Sequence, residues 1–286
     1  MTGIYKSDTG RRAIEERYRA RLDAWPVPRE ELRVPTAAGE TFVVASGPAD
    51  APPLVLLHGS GANAGTWRGD ITDWSAHYRV YAVDLPGEPG FSVPTRLDLT
   101  TDATASWLDE VLDGLGLDTI ALVGMSLGGW TALDYVLRRP GRVTSLVLLC
   151  PGGLGKHRYG WLVKAIGLRL LGRHSVRDVA RVGLGLGPDD AAAEEILDEI
   201  ELTFTHFSPR SGRLPRFRQE QLRDVDIPVL VIVGEKDALF DSARTAELAR
   251  GGFTRGEVRL LPGAGHALLG QTVPIREFLQ DNALRH

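Results

Sequence analysis

The stretch Val123-Gly124-Met125-Ser126-Leu127-Gly128-Gly129 constrains this chain more than any other. It reads Gly-x-Ser-x-Gly. An apolar run, Ile120 to Val123, precedes it, and a helix-like run, Trp130 to Arg139, follows it. A serine between a buried strand and a helix is held in a sharp, strained turn with its hydroxyl exposed. Side chains at 124 and 128 would collide as the chain doubles back, which explains glycine at both positions. Gly129 lets the helix pack close to the sheet. The helix N-terminus points free N–H groups and its positive dipole end at any charge that develops on a bound molecule. A plain glycine-rich turn would also match the five letters. The flanking strand and helix, and the partners that occur further along the chain, favour an active site.

The chain has 286 residues, which suits one large α/β domain or one domain with an insertion. Hydrophobic residues make up 43% and charged residues 24%, with a net charge of −4 spread in both signs. That balance is globular and carries no nucleic-acid footprint. The single cysteine, Cys150, excludes an intramolecular disulfide and reads as a buried, inert thiol at the end of an apolar run. The first residues lack the apolar core of a signal peptide, and no run approaches a membrane span. The expectation is a soluble, cytoplasmic protein that binds neither nucleic acid nor membrane. The sequence leaves the oligomeric state open.

Along the chain, Asp8 to Leu22 predicts a helix with Ile14, Tyr18 and Leu22 on one face and Asp8 or Thr9 as its cap. Leu32–Thr36 and Thr41–Ser46 predict a hairpin. Leu54–Leu57 and Val80–Asp84 read as strands, Ala103–Leu115 as a helix, and Val143–Leu149 as a further strand. The α/β rhythm resumes with a strand at Val229–Val233, a helix at Asp241–Arg250, a strand at Glu257–Leu261 and a last helix around Pro274–Leu279. Buried strands alternating with helices imply a mostly parallel central sheet flanked by helices on both faces.

Between about Gly152 and Glu220 that rhythm breaks. Lys156 to Arg181 carries seven Lys/Arg, whereas Asp189 to Glu201 carries seven acids and no base. Two or more amphipathic helices are expected, their charged faces solvated and loosely paired. A basic mouth that attracts anionic substrates is the lesser reading. The predicted organisation is a core of residues 1–151 and 221–286, with a helical cap at 152–220.

A serine hydroxyl needs a base to take its proton and an acid to fix that base's tautomer. The base candidate is His266, in the small-residue loop Pro262 to Ala267 after the last strand. Among the other histidines, His58 is tied to a strand-end turn and His157, His174 and His206 fall in the insertion. The acid candidate is Asp237, in the turn after Val229–Val233. Its local rivals are Asp241, better suited to capping the next helix, and Glu235, a solvated residue. Open α/β sheets gather functional groups at the carboxyl ends of their strands, so distant spacing is no obstacle. For an oxyanion, the Leu127 N–H is one donor, and the loop His58-Gly59-Ser60-Gly61 offers another in the Ser60 N–H. Trp130, Trp161, Phe204 and Phe207 are candidates for an apolar substrate pocket, although ordinary packing explains each equally well.

The order Ser…Asp…His, the Gly-x-Ser-x-Gly elbow, the His-Gly loop, Gly234-Glu235-Lys236-Asp237 and Gly263-Ala264-Gly265-His266 resemble the α/β-hydrolase superfamily over nearly the whole chain. Trp25-Pro26-Val27, Asp73-Trp74-Ser75 and Tyr81-Ala82-Val83-Asp84 are similar to bacterial carboxylesterases with a comparable N-terminal helix. One loop departs from the usual pattern: Asp84 to Ser92 holds one residue more than the Asp-x-Pro-Gly-x-Gly-x-Ser common among relatives. The resemblance implies a serine hydrolase acting on carboxylic esters of small molecules through an acyl-enzyme, with no metal or organic cofactor. Hydrolysis of lactones, thioesters or carbon–carbon bonds, perhydrolysis, and a binding protein with a retained triad are the alternatives, because fold and triad do not fix the reaction.

Overall fold

The computed structural model describes residues 3–158, 176–187 and 191–283. Its centre is an eight-stranded sheet. The strands are β1 (Arg29–Thr36), β2 (Gly39–Ser46), β3 (Pro53–Leu57), β4 (Arg79–Val83), β5 (Ile120–Met125), β6 (Val143–Leu149), β7 (Val229–Gly234) and β8 (Gly256–Leu261). They lie in the order β1-β2-β4-β3-β5-β6-β7-β8. β2 pairs antiparallel with β1 and with β4, and every pairing from β4 through β8 is parallel. The hairpin strands are longer than the sequence suggests. Arg29 pairs with Ser46 and Thr36 with Gly39, so only Ala37 and Ala38 turn the chain.

Strand side chains alternate between the two faces, and both faces are covered. Val55, Leu57, Val229 and Val231 join one apolar cluster, with Trp107 and Val111 of α3 (Ala103–Gly114), Leu133 of α4 (Leu127–Arg138) and Ala246 of the helix Ser242–Gly252. Leu54, Leu56, Leu230 and Ile232 join the other. There they meet Tyr18 and Leu22 of α1 (Asp8–Asp23), Ile71 and Trp74 of α2 (Ile71–Trp74), and Phe278 of the last helix, Thr272–Ala283. Truncating one of these buried leucines to alanine costs about 2–5 kcal/mol.

α1 buries Ile14, Tyr18 and Leu22 along one face, as their spacing predicts. Its cap is Ser7, not Asp8 or Thr9. The Ser7 Oγ accepts the Gly10 N–H at 3.0 Å. Asp8 therefore sits in the first turn, where its charge complements the helix dipole.

Between β6 and β7 the described helices are α5 (Val176–Leu184), α6 (Ala191–His206) and α7 (Gln219–Arg223). Leu197 and Ala193 of α6 pack with Leu186, while Leu202 faces a small cluster of Ile4, Ile14 and Phe207. The opposed charges pair directly. Arg177 bonds Glu194 and Asp198, and Arg181 bonds Glu194. The acidic helix also reaches α1, where Glu199 contacts Arg21 at 3.3 Å and Arg17 at 3.4 Å. Core helices α8 (Ser242–Gly252) and α9 (Thr272–Ala283) complete the chain. Among the described residues no helix is long and apolar enough to cross a membrane.

Candidate active site

The chain runs from β3 to β4 on one side and reaches β5 on the other, so strand order reverses at the β3/β5 boundary. Ligand sites in open α/β sheets form outside the carboxyl ends of the strands at such a switch point. His58 to Gly61 follow β3 there, and Ser126 follows β5.

Ser126 has φ 53° and ψ −107°, a strained conformation for a residue with a side chain. The turn is as tight as the glycines imply. A Cβ at Gly124 would lie 2.3 Å from the Gly128 carbonyl oxygen, and one at Gly128 would lie 2.1 Å from that of Leu57. The Ser126 N–H donates to Leu149 O at 2.8 Å, and its carbonyl accepts the Gly152 N–H at 3.0 Å. Leu127 opens α4, where an N–H has no intrahelical acceptor. A Cβ placed on Gly59 would come within 3.4 Å of the Ser126 Cβ, so the β3 loop lies directly against the serine.

Asp237 and His266 are brought together by main-chain bonds between the segments that follow β7 and β8. The Lys236 N–H donates to Ala264 O at 2.8 Å, and the Glu235 N–H to Leu261 O at 3.0 Å. His266 Nδ1 then lies 2.7 Å from Asp237 Oδ2. Both are buried, at 7% and 1% exposure. The other oxygen, Asp237 Oδ1, accepts the N–H groups of Leu239 (2.7 Å) and Phe240 (3.0 Å). Burial alone would raise the carboxyl pKa, but the His266 bond and these two N–H groups hold it below the usual range. Burial likewise opposes a charged imidazole. The Asp237 bond, joined by the Cys150 sulfur, outweighs it and holds His266 above its ordinary value.

The rivals have other occupations. The Asp241 carboxylate caps α8, accepting the Arg244 N–H at 3.1 Å. Glu235, expected only to be solvated, accepts the Gly263 N–H at 3.0 Å and so braces the histidine loop. His58 is fully buried, and burial lowers its pKa to about 4. Its Nε2 accepts the Leu85 N–H at 2.9 Å, which leaves Nδ1 to donate to Gly59 O at 2.8 Å. Both ring nitrogens are committed, so His58 holds the loop.

The four aromatic pocket candidates separate. Phe204 is 37% exposed, and its ring would lie 3.1 Å from a Cβ at Gly61, beside the β3 loop. Phe207 is not a wall of this site. It is fully buried against Ile4 and Ile14 and meets Tyr5 edge-on. Trp130 is a packing residue, stacked on Phe217 with its Nε1–H donating to Pro215 O at 2.8 Å. Trp161 lies outside the described residues.

Two neighbours escaped the sequence reading. Cys150 is buried as expected, but it lies against the dyad: its sulfur, a ring nitrogen of His266 and a carboxylate oxygen of Asp237 are within 4.8 Å of one another. Asp237 already spends both oxygens on hydrogen bonds, so the group is a bonded dyad with a thiol beside it and not an open ion site. The available signal was that parallel strands end at one edge, but that β6 neighbours β7 is known only from the sheet. The second is Glu88, in the loop with the extra residue. It is 1% exposed, and its Oε2 accepts the Gly61 N–H at 2.7 Å and the Ser60 hydroxyl at 3.1 Å.

A model of the alpha/beta hydrolase family matches residues 54–280, which hold all but the first residue of β3, the elbow and both members of the dyad. The chain belongs to the alpha/beta hydrolase family. Two Bacillus subtilis relatives of this hydrolase are each 31% identical to it. They are a carboxylesterase named nap (92% of this chain, 88% of that one) and carboxylesterase YbfK (88% and 86%). The crystal structure of naproxen esterase, carboxylesterase NP, from Bacillus subtilis superposes on the hydrolase with a TM-score of 0.78 and 28% identity. The match covers 98% of this chain and 99% of that one.

Proposed function

We propose that this hydrolase cleaves carboxylic esters of small molecules through an acyl-enzyme formed on Ser126. The observation that carries the reading is the buried 2.7 Å His266–Asp237 bond at the same sheet edge as the strained Ser126 elbow. The two similar proteins named as carboxylesterases support it.

In this reading Asp237 keeps the proton on His266 Nδ1, and Nε2 takes the proton of the Ser126 hydroxyl as its oxygen attacks the ester carbonyl. Negative charge then develops on the carbonyl oxygen, and the N–H groups of Ser60 and Leu127 receive it. His266 returns the proton to the departing alkoxide. Water, activated by the same imidazole, attacks the acyl-enzyme and releases the acid, with Ser126 leaving as the restored hydroxyl. Every step is proton transfer and acyl transfer by these side chains, and the reading includes neither metal nor organic cofactor.

Residues 152–220 serve as the cap in this reading, with Phe204 as the pocket wall nearest the oxyanion loop. The enzyme works in the cytoplasm on small substrates. The test is turnover across a panel of nitrophenyl esters, lactones and thioesters, with mass spectrometry of the acyl adduct. The expected result is fastest turnover of esters with the acyl group on the Ser126 peptide. Adduct on another residue, or turnover unchanged in Ser126→Ala, overturns it.

A further inference from the structure

The 84–92 loop, one residue longer than the usual pattern, lies against the β3 loop. The β3 loop, residues 58–64, is pinned from one side almost entirely by this segment. Leu85 donates to His58 at 2.9 Å, Asp84 Oδ1 accepts the Ala64 N–H at 2.8 Å, and Pro89 O accepts the Asn63 side-chain amide at 3.0 Å. Those three bonds hold the two ends of the loop. Among the described residues, the side-chain hydrogen bonds to its middle, Ser60 and Gly61, come from one group, Glu88 Oε2.

We propose that Glu88 is a positioning residue for the oxyanion hole, its carboxylate fixing Ser60 and Gly61 so that the Ser60 N–H stays aimed at the carbonyl attacked by Ser126. This rests on the ester-hydrolase reading above.

A carboxylate accepting N–H and O–H donors makes stronger bonds than a neutral acceptor. Here one oxygen grips both a main-chain N–H and the adjacent hydroxyl, which removes the loop's two easiest motions, peptide rotation at 60–61 and side-chain rotation at Ser60. The grip has a cost. Glu88 Oε1 is buried without a hydrogen-bond partner among the described residues, and an unsatisfied buried acceptor is destabilising. Burial raises the carboxyl pKa, while the Gly61 and Ser60 bonds and the nearby charges of Arg96 and Arg210 oppose that rise. Those two guanidinium groups also offset a negative charge that would otherwise repel the oxyanion. They are themselves tied in, Arg210 to Leu97 O at 3.1 Å and Arg96 to Ser208 O. An oxyanion donor stabilises the transition state only if its place is fixed before reaction. The reach of glutamate matters for the same reason, since aspartate from position 88 would fall one methylene short of Gly61.

The experiment compares the parent with Glu88→Gln, Glu88→Asp and Glu88→Ala. Each is measured for kcat and KM on a short-chain nitrophenyl ester, for affinity toward an alkyl boronic acid, which forms a tetrahedral adduct on serine, and for melting temperature. Glu88→Ala is expected to lower kcat about 10- to 100-fold, below the loss seen when a whole oxyanion donor is deleted. KM should change less than about twofold, and boronic-acid affinity should fall in step with kcat. Glu88→Gln keeps an acceptor oxygen at the same reach and should recover most of the loss, whereas Glu88→Asp should not. If Glu88→Ala does not fold, the Gln and Asp variants decide by the same ordering. A folded Glu88→Ala with unchanged kcat, a loss confined to KM, or a kcat loss without loss of boronic-acid affinity overturns the proposal. So do equal values for Gln and Asp. A parent that neither turns over esters nor reacts at Ser126 with a fluorophosphonate overturns the ester-hydrolase reading instead.

Discussion

The carboxyl edge of the sheet and the 176–223 stretch are held by different forces. At the sheet edge, Ser126, Asp237 and His266 are fixed by main-chain bonds of 2.8–3.0 Å between neighbouring strand-end segments, by the 2.7 Å bonds of the Asp237 carboxylate to the Leu239 N–H and to His266, and by glycines with no space for a side chain. In the other region, small apolar clusters are bordered by ion pairs, exposed or part-exposed between α5 and α6 and largely buried between α6 and α1. Backbone bonds in a buried frame fix atoms to fractions of an ångström. Surface ion pairs each contribute little and tolerate movement. A site that must align a nucleophile with a base needs the first kind of support.

The comparison breaks most visibly at the serine. Ser126→Ala is expected to lower ester turnover by about 10⁶-fold and abolish fluorophosphonate labelling, with melting unchanged. Labelling that survives the change would move the nucleophile elsewhere.

Next in size is the acid. Asp237→Asn should cut turnover by about 10⁴-fold, because the histidine tautomer becomes wrong. Asp241→Asn should cost little, since asparagine caps nearly as well, and Asp241→Ala should lose about 1 kcal/mol of stability with turnover retained. Paired assays and melts of the three variants decide the point, and reversed losses at 237 and 241 would reassign the acid.

The pH profile sharpens the same contrast. The proposed mechanism requires neutral His266, and its pKa is raised, so turnover should rise with pH through a midpoint above the ordinary value of about 6.5. Asp237→Asn should bring that midpoint down. The stability effect has the opposite sense. A raised histidine pKa contributes stability that is full below about 6.5 and lost as pH rises through the folded-state value. Asp237, held low by the same bond, contributes stability present above about 3.9 and lost as pH falls through its folded-state value. Melting curves across pH, parent against Asp237→Asn, measure both limbs. A flat parent profile between roughly pH 5 and 8, with chemistry limiting, contradicts a histidine base.

The smallest effects belong to the 176–223 region. Phe204→Ala should reorder preference among acyl chains while Ser126 still labels. An unchanged ranking would remove Phe204 from the pocket. Glu199→Ala removes the carboxylate that holds Arg21 and Arg17 of α1 and should lower the melting temperature without loss of kcat.

The sequence by itself determined what strong local rules control. Gly124 and Gly128 around a serine specify a turn that no other residues fit. The unbroken apolar runs Leu54–Leu57 and Val229–Val233 specify strands buried on both faces. The composition of the Asp237 and Asp241 segments separated turn from cap, and Asp241 does cap its helix. Tertiary structure decided everything that depends on which strands are neighbours. Cys150 read as an inert core thiol because nothing local says that β6 lies beside β7, and adjacency alone sets its sulfur against His266. Phe204 and Phe207 are three residues apart on one apolar pattern, yet one borders the β3 loop and the other is buried under the N-terminal segment. Periodicity reports that a face is apolar and not what covers it. Glu88 was one residue in a loop of unusual length, and its contacts are set by the fold that brings residues 84–92 against 58–64. Local sequence fixes dihedrals and burial over a few residues. Contacts between segments tens of residues apart follow from sheet order, which no short stretch encodes.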